Sequence, residues 1–300
     1  MKINLISNDN GVGLSQDMRI IKAILKGHKC AIVDLLKGDQ PEKADINIHF
    51  ELLNNLHYNT APVNLFFPNP EWFQWPALLK GIDLVMCKTH DCERIFKLWT
   101  DKTAFTSFTS EDRNTGERSS EIVYLHTAGQ SAAKGTQTIF QAWKPEYPKL
   151  VLTKLRDYKA LEKPKDNVFT CFERIPIDIL KEFQNKCTFH VCTSEYEGFG
   201  HYIWEAKSCG GIIITTKAPP MNEMVTEKDG FLVTSGRSRR FNFGRLHMIE
   251  PKALQEVIEQ TMLLTTKQIK EMRAASRESW EVNDKFFRDK FLKIIRGYDV

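Results

Sequence analysis

Three hundred residues with a formal net charge of +4 are enough for two cores of about 100–180 residues each, and so weak a positive balance gives no reason to expect nucleic acid as a partner. No apolar run approaches the roughly 20 residues that cross a bilayer, so no transmembrane segment is expected, and residues 1–7 read as a first strand rather than as the apolar region of a signal peptide. Seven cysteines, an odd number without any Cys-x-x-Cys pair, argue against a disulfide framework and against a metal site; they read as reduced core thiols of a cytoplasmic protein.

In chain order, strands are expected at 2–7, 28–35, 44–50, 62–67, 82–87 and 102–108, and helices at 17–27 and 90–99. Short apolar strands alternating with helices are the pattern of a parallel sheet covered on both faces. The turn after the first strand, Asn8 to Ser15, contains Gly11 and Gly13, and Asp34 ends the second strand about twenty residues later. That partly meets a dinucleotide-binding fingerprint and keeps an NAD-linked enzyme as one alternative, but the third glycine position is Gln16; a tight turn that needs glycine is the plain reading. His49 ends the third strand and His90 opens the second helix, each either a hydrogen-bonded structural residue or a group facing a ligand. Asn69 to Pro76 packs Trp72, Phe73 and Trp75 into a Pro-bounded loop that seals the first core or presents rings to a ligand.

Residues 111–120 are polar, turn-rich and aperiodic, the composition of a linker. The expected division is therefore a first domain at 1–115, a second at 116–280 and a closing helix within 281–300, carrying Phe286, Phe287, Phe291, Ile294 and Ile295. A second alternating series runs from 121 to about 275. Within it, 187–193 read as a buried strand, 201–209 as a helix stopped by Gly210 and Gly211, and Ile212 to Thr216 as the next strand. Residues 235–245 are basic with interleaved aromatics; a solvated loop is the plain expectation, with an anionic acceptor, a membrane face or nucleic acid as alternatives.

The stretch between that strand and helix carries the chemistry. Gly198 and Gly200 let the backbone turn sharply and approach a ligand, and the first free N–H groups of the helix face that turn, where phosphate is attracted. Glu205 lies about one turn into the helix, and its Cα–Cβ bond tilts the carboxylate back toward the same place. Glu197 and Glu205 can thus accept from hydroxyls on either side of an anion hole; taken singly, each is also an ordinary loop or helix-start acid.

The run Glu197-Gly198-Phe199-Gly200, four residues, Glu205-Ala206, two residues, Cys209-Gly210 resembles the second domain of the retaining glycosyltransferases of family 4, with their Glu-x7-Glu motif and GT-B fold. Residues 122–150, with Lys134-Gly135 before a helix, and 212–233, with Asn222 to Val225 and Asp229 to Val233, are similar to the same family; residues 1–115 resemble it only in outline. The resemblance implies an α/β protein of GT-B fold, two Rossmann-like domains facing each other across a cleft, with the helix of 281–300 packing back on the first domain; plain packing of a C-terminal helix on its own core is the other reading. It implies metal-independent, retaining transfer of a hexose from a nucleoside-diphosphate sugar, UDP- or GDP-linked, to a sugar, glycan or other hydroxyl acceptor, with no cofactor.

On that resemblance Glu197 serves the hexose, Gly198, Phe199 and Gly200 the diphosphate, and Glu205 the ribose. Lys134 stabilises the leaving group, Arg174 sits at the base or phosphate edge unless it is a surface residue, Gly11 and Gly13 leave room for the sugar, and His49 faces the cleft with a catalytic part. The family's Arg upstream of Lys134 is Gln130 here. No Asp-x-Asp is present, which argues for transfer without an obligatory divalent ion, and no residue stands out as a covalent nucleophile. A catalytically silent sugar-nucleotide-binding or interaction protein is the other class the residues allow. Peripheral membrane contact stays open.

Overall fold

The computed structural model describes residues 1–129, 131–153, 165–171 and 175–298. The chain forms two compact units, one of Met1–Ser110, Arg240–Arg245 and the residues from Asn283 on, the other of Glu111–Arg239 and Leu246–Val282.

The first unit is built on a parallel sheet in the order β2-β1-β3-β4-β5-β6. Its strands are β1 (Lys2–Ser7), β2 (Lys29–Asp34), β3 (Ile46–Phe50), β4 (Val63–Phe67), β5 (Leu84–Cys87) and β6 (Thr103–Phe105). Every residue of β3 is buried, as in a strand inside a parallel sheet covered on both faces, and β1 and β4 flank it. Helix α1 (Gly13–Ile24) begins earlier than the expected residue 17. Asn10 explains the early start: its Oδ1 accepts from Val12 N at 3.0 Å and Leu14 N at 3.3 Å, satisfying first-turn donors the chain would otherwise leave free. Helix α2 (His90–Phe96) is capped by Thr89, whose hydroxyl accepts from Cys92 N at 3.1 Å.

The second unit has the strand order β13-β12-β11-β10-β7-β8-β9. Its strands are β7 (Tyr124–Thr127), β8 (Leu150–Thr153), β9 (Val168–Cys171), β10 (Phe189–Cys192), β11 (Ile212–Lys217), β12 (Gly230–Phe241) and β13 (Gly244–Ile249). Between them run α3 (Thr136–Ala142), α4 (Ile177–Lys186) and α5 (His201–Ser208), followed by α6 (Pro251–Met262) and α7 (Thr266–Arg296). The core joins Tyr124, Trp143, Leu150, Leu152, Phe189, Val191, Ile212 and Ile214. Tyr124 stacks on Phe189 at 4.8 Å and meets the Trp143 ring edge-on at 5.1 Å; such rings contribute about 1.5–3 kcal/mol each by burial alone.

Three segments differ from the sequence expectation. Residues 235–245 are not a loop: they form most of a hairpin, β12 turning into β13 at Asn242 with φ 50°. The closing helix starts earlier than residue 281: α7, Thr266–Arg296, is one helix of 31 residues, and its part from Asn283 on belongs to the first unit, as expected, where Phe287 and Phe291 are buried against Phe67 and Phe108. The expected linker at 111–120 is part of the second unit, and Arg113 within it is only 6% exposed.

Candidate active site

The second sheet changes direction between β7 and β10: β8 and β9 extend it on one side, β11 to β13 on the other. Loops leaving the carboxyl ends of two such strands diverge, and open α/β sheets bind their ligands there. The loop after β7 supplies Lys134, and the loop after β10 supplies Glu197.

Lys134 closes a 3-10 turn, Ala132–Lys134, followed by Gly135 at φ 71°. A Cβ on Gly135 would stand 2.5 Å from Thr193 O, so glycine is required both by the left-handed backbone and by the approach of the two loops. Glu195 N donates to Ala133 O at 2.8 Å, clamping the loops together. Lys134 Nζ consequently pairs with Glu197 Oε1 and lies 3.8 Å from the centroid of the Tyr202 ring. Ser194 Oγ donates to the same carboxylate oxygen and is 2.5 Å from Tyr202 Oη. Lys134 and Glu197 retain 18% and 11% side-chain exposure, so a small ligand can still reach them.

Beneath this pair His126 is fully buried, and burial pushes its imidazole down to about 4. The neutral ring donates from Nδ1 to Val191 O at 2.7 Å and accepts at Nε2 from the Thr136 hydroxyl at 2.9 Å. It therefore ties β7, β10 and the first residue of α3 together, and with them the Lys134 loop.

Helix α5 starts after Gly200, left-handed at φ 78°, a residue with no side chain to cap it. A Cβ on Gly200 would press to 3.0 Å from Met224 Sδ. Tyr202, in the first turn, carries Lys134 over its ring, so the ammonium and the positive end of the helix are neighbours. Gly198 is not left-handed, and Phe199 is buried with its ring parallel to Trp204 at 5.9 Å.

Glu205, one turn further, is 6% exposed. Its Oε1 is 2.8 Å from Arg113 Nη2, and its Oε2 accepts from Gln184 Nε2 at 3.4 Å. Arg113 is itself pinned: its N–H donates to Ser208 Oγ at 3.0 Å, its carbonyl accepts from Asn185 Nδ2 at 2.8 Å, and Nη1 donates to Gln184 Oε1 at 3.1 Å. Sequence reasoning missed this arginine, because an aperiodic polar segment carries no local sign of burial. Glu223 lies exposed on the 3-10 turn Met221–Glu223, and Arg174 and Gln130 lie outside the described residues.

In the first unit the expected residues have other surroundings. Gly11 is exposed at φ 70°, whereas Gly13 is the first residue of α1 and is not left-handed. His49 is in the interior, not at a surface, since β3 is buried throughout. Its Nε2 is 3.2 Å from Asn64 Oδ1, its ring meets Tyr58 edge-on at 5.5 Å, and burial lowers it to about 4. His90 is exposed and stacked on Phe105 at 3.7 Å. Asp34 accepts from Asp9 N at 3.0 Å in the turn after β1 and from Leu36 N at 3.1 Å, and pairs with Lys37 at 3.0 Å.

A polar group unnoticed in the sequence gathers where β3, β4 and β5 end. Lys88 Nζ is 2.6 Å from Asp17 Oδ2 and 3.4 Å from Asn69 Oδ1, while Asn69 Nδ2 donates to Glu51 Oε2 at 2.7 Å. Glu51 holds φ 64°, and burial raises its carboxyl above the usual range.

Among the described residues no group of His, Cys, Asp and Glu is arranged to hold a metal ion, all seven cysteines are free, and no helix is long and apolar enough to cross a membrane. Residues 150–260 match the family described as Glycosyl transferases group 1. No curated protein matches the chain. Solved structures do. A glycosyltransferase from Rickettsia africae ESF-5 superposes with a TM-score of 0.75 at 15% identity, over 99% of this chain and 98% of that one. Anabaena HepE in complex with UDP and glucose gives 0.72 at 14%, over 99% of each chain. The sucrose-phosphate synthase of Thermosynechococcus elongatus gives 0.71 at 12%, over 99% of this chain and 98% of that one. The chain is therefore an α/β protein with the GT-B fold of glycosyltransferases, carrying a stretch at 150–260 that matches the glycosyl transferases of group 1.

Proposed function

We propose that the protein transfers a hexose from a nucleoside-diphosphate sugar to a hydroxyl acceptor, with retention of configuration and without a metal ion. The observation that carries this reading is the Lys134–Glu197 pair at the β7/β10 switch point, beside the start of α5. The group 1 match supports it, and structural neighbours that hold UDP make a UDP-sugar the first donor to test, ahead of GDP-sugars.

In this reading the diphosphate takes the N–H groups at the start of α5 and draws the Lys134 ammonium from Glu197. Glu197 then accepts from hexose hydroxyls, and Glu205, steadied by Arg113, accepts from the ribose. The acceptor oxygen forms its bond to the anomeric carbon on the face from which the diphosphate departs. The anomeric C–O bond to phosphate breaks with its electron pair on the phosphate oxygen, and that oxygen receives the acceptor's proton. Lys134 and the helix start stabilise the charge on the leaving diphosphate. His126 stays neutral and holds the Lys134 loop in place. Reduced cysteines fit a cytoplasmic setting.

The test is a titration of UDP, GDP and ADP into the wild type and Lys134→Ala with chelator present, followed by assay of UDP-glucose hydrolysis. Binding of one diphosphate that weakens in the variant, with slow release of glucose, is expected. Binding without any hydrolysis or transfer to a panel of acceptors would replace the enzyme by a sugar-nucleotide-binding protein. No binding of any diphosphate would sink both readings.

A further inference from the structure

Tyr202 is linked to both members of the Lys134–Glu197 pair. Its ring centroid is 3.8 Å from Lys134 Nζ, and its hydroxyl stands 2.5 Å from Ser194 Oγ, the atom that also reaches Glu197 Oε1. The direction of this chain follows from what each group can do. A carboxylate only accepts, so the single hydroxyl proton of Ser194 goes to Glu197, and Ser194 Oγ accepts in turn from the Tyr202 hydroxyl. Burial above all, with Cys192 and Glu197 beside it, holds the Tyr202 proton well above the ordinary phenol range, so this end of the chain stays a donor.

The middle of the chain is fixed by the backbone. Ser194 is fully buried; its N–H donates to Cys192 O at 3.0 Å and its carbonyl accepts from Thr216 Oγ1 at 2.7 Å, which ties it to β10 and β11. Tyr202 is carried by α5 and is 9% exposed. Lys134 and Ser194 take the same oxygen of Glu197, and among the described residues no hydrogen bond is made to Oε2. A diphosphate that draws Lys134 away removes one of the two partners of Oε1. The Ser194 hydroxyl is the partner that stays, and a donor that is itself hydrogen-bonded holds its acceptor more strongly. The carboxylate then keeps its orientation, with Oε2 open to a hydroxyl of the sugar.

We infer that Tyr202 is a positioning residue for hexose transfer, which rests on the donor role proposed for the Lys134–Glu197 pair. Its hydroxyl acts through Ser194 and holds Glu197 with Oε2 toward the sugar while Lys134 serves the diphosphate.

The experiment compares the full chain with Tyr202→Phe, Ser194→Ala and the double variant, by calorimetric titration of UDP and of UDP-glucose and by release of glucose from UDP-glucose. Each substitution removes one oxygen and keeps the ring beside Lys134, so UDP affinity is expected to stay within about twofold of the wild type. Turnover of UDP-glucose is expected to fall about tenfold in Ser194→Ala and about threefold in Tyr202→Phe, and the preference for UDP-glucose over UDP to shrink in the same order. The double variant is expected to lose no more than Ser194→Ala, because the tyrosine hydroxyl acts on Glu197 through Ser194. Losses that multiply in the double variant, or that fall equally on UDP and UDP-glucose, would show separate packing roles and overturn the inference. Turnover unchanged by Tyr202→Phe overturns it as well, with the donor site left standing. A wild type that binds neither UDP nor UDP-glucose removes the donor site itself, and this role of Tyr202 with it.

Discussion

Arg113 Nη2 lies 2.8 Å from Glu205 Oε1, and both side chains are buried, at 5% and 8% exposure. The acid expected to grip a ribose is thus already held by an arginine from outside the strand-and-helix repeat. Removing one partner of a buried pair leaves the other charged without its counter-charge. Arg113→Ala is expected to destabilise the protein by about 3–5 kcal/mol in urea unfolding and to weaken nucleotide binding. Glu205→Gln is expected to weaken nucleotide binding with a smaller loss of stability. Unchanged nucleotide affinity in Glu205→Gln would remove this residue from the donor site.

Lys134 and Glu197 are more exposed, so their loss should be felt in chemistry more than in folding. Lys134→Ala is expected to reduce kcat by about 10²–10³, the scale seen when a preorganised charge stabiliser is removed. Glu197→Ala should lower turnover more than nucleotide affinity. Steady-state kinetics with titration calorimetry separates the two; a Glu197→Ala change confined to binding would assign the residue to the nucleotide instead.

The backbone at Gly135 is the hinge of the two-loop clamp. Gly135→Ala adds a Cβ 2.5 Å from Thr193 O on a left-handed residue, so the β7 and β10 loops must separate. A loss of about 1–3 kcal/mol is expected, together with weaker diphosphate binding. A variant as stable as the wild type would mean that the loops have room to move.

Stability should depend on pH through the buried histidines, above all His49, His126 and His190. Burial holds His49 and His126 at about 4 and His190 at about 3, all below the ordinary imidazole value of 6.5. As pH falls, the unfolded chain binds protons before the native one does. The stability gained by keeping these rings neutral is therefore complete above about 6.5 and is lost toward pH 4, at about 1.4 kcal/mol per pH unit for each group. Denaturant midpoints should fall steeply from about pH 6.5 to 5. A flat profile there would mean that protons reach the rings without unfolding.

The alternation of short apolar strands with helices is local information, and the strands expected at 2–7, 44–50, 62–67 and 82–87 sit close to β1, β3, β4 and β5. Around Gly200 the strand, turn and helix are also legible, because spacing and glycine act over a few residues. Tertiary pairing controlled the rest. Residues 235–245 show loop composition, yet Phe241 and Phe243 gain burial against distant rings and hold a hairpin. His49 carries no sign of its depth, which depends on what packs on the faces of its sheet and not on its neighbours in the chain.

By itself the sequence determined the parallel-sheet architecture, the glycine-opened start of α5 and the carboxylates at 197 and 205, because each depends on period, propensity or spacing within one segment. Only the tertiary structure decided that Lys134 meets Glu197, that Arg113 meets Glu205 and that His49 is interior. Those relationships arise when strand order sets β7 beside β10 and when a polar segment docks on α4 and α5; they are properties of which surfaces pack together, and no local window of the chain contains both partners.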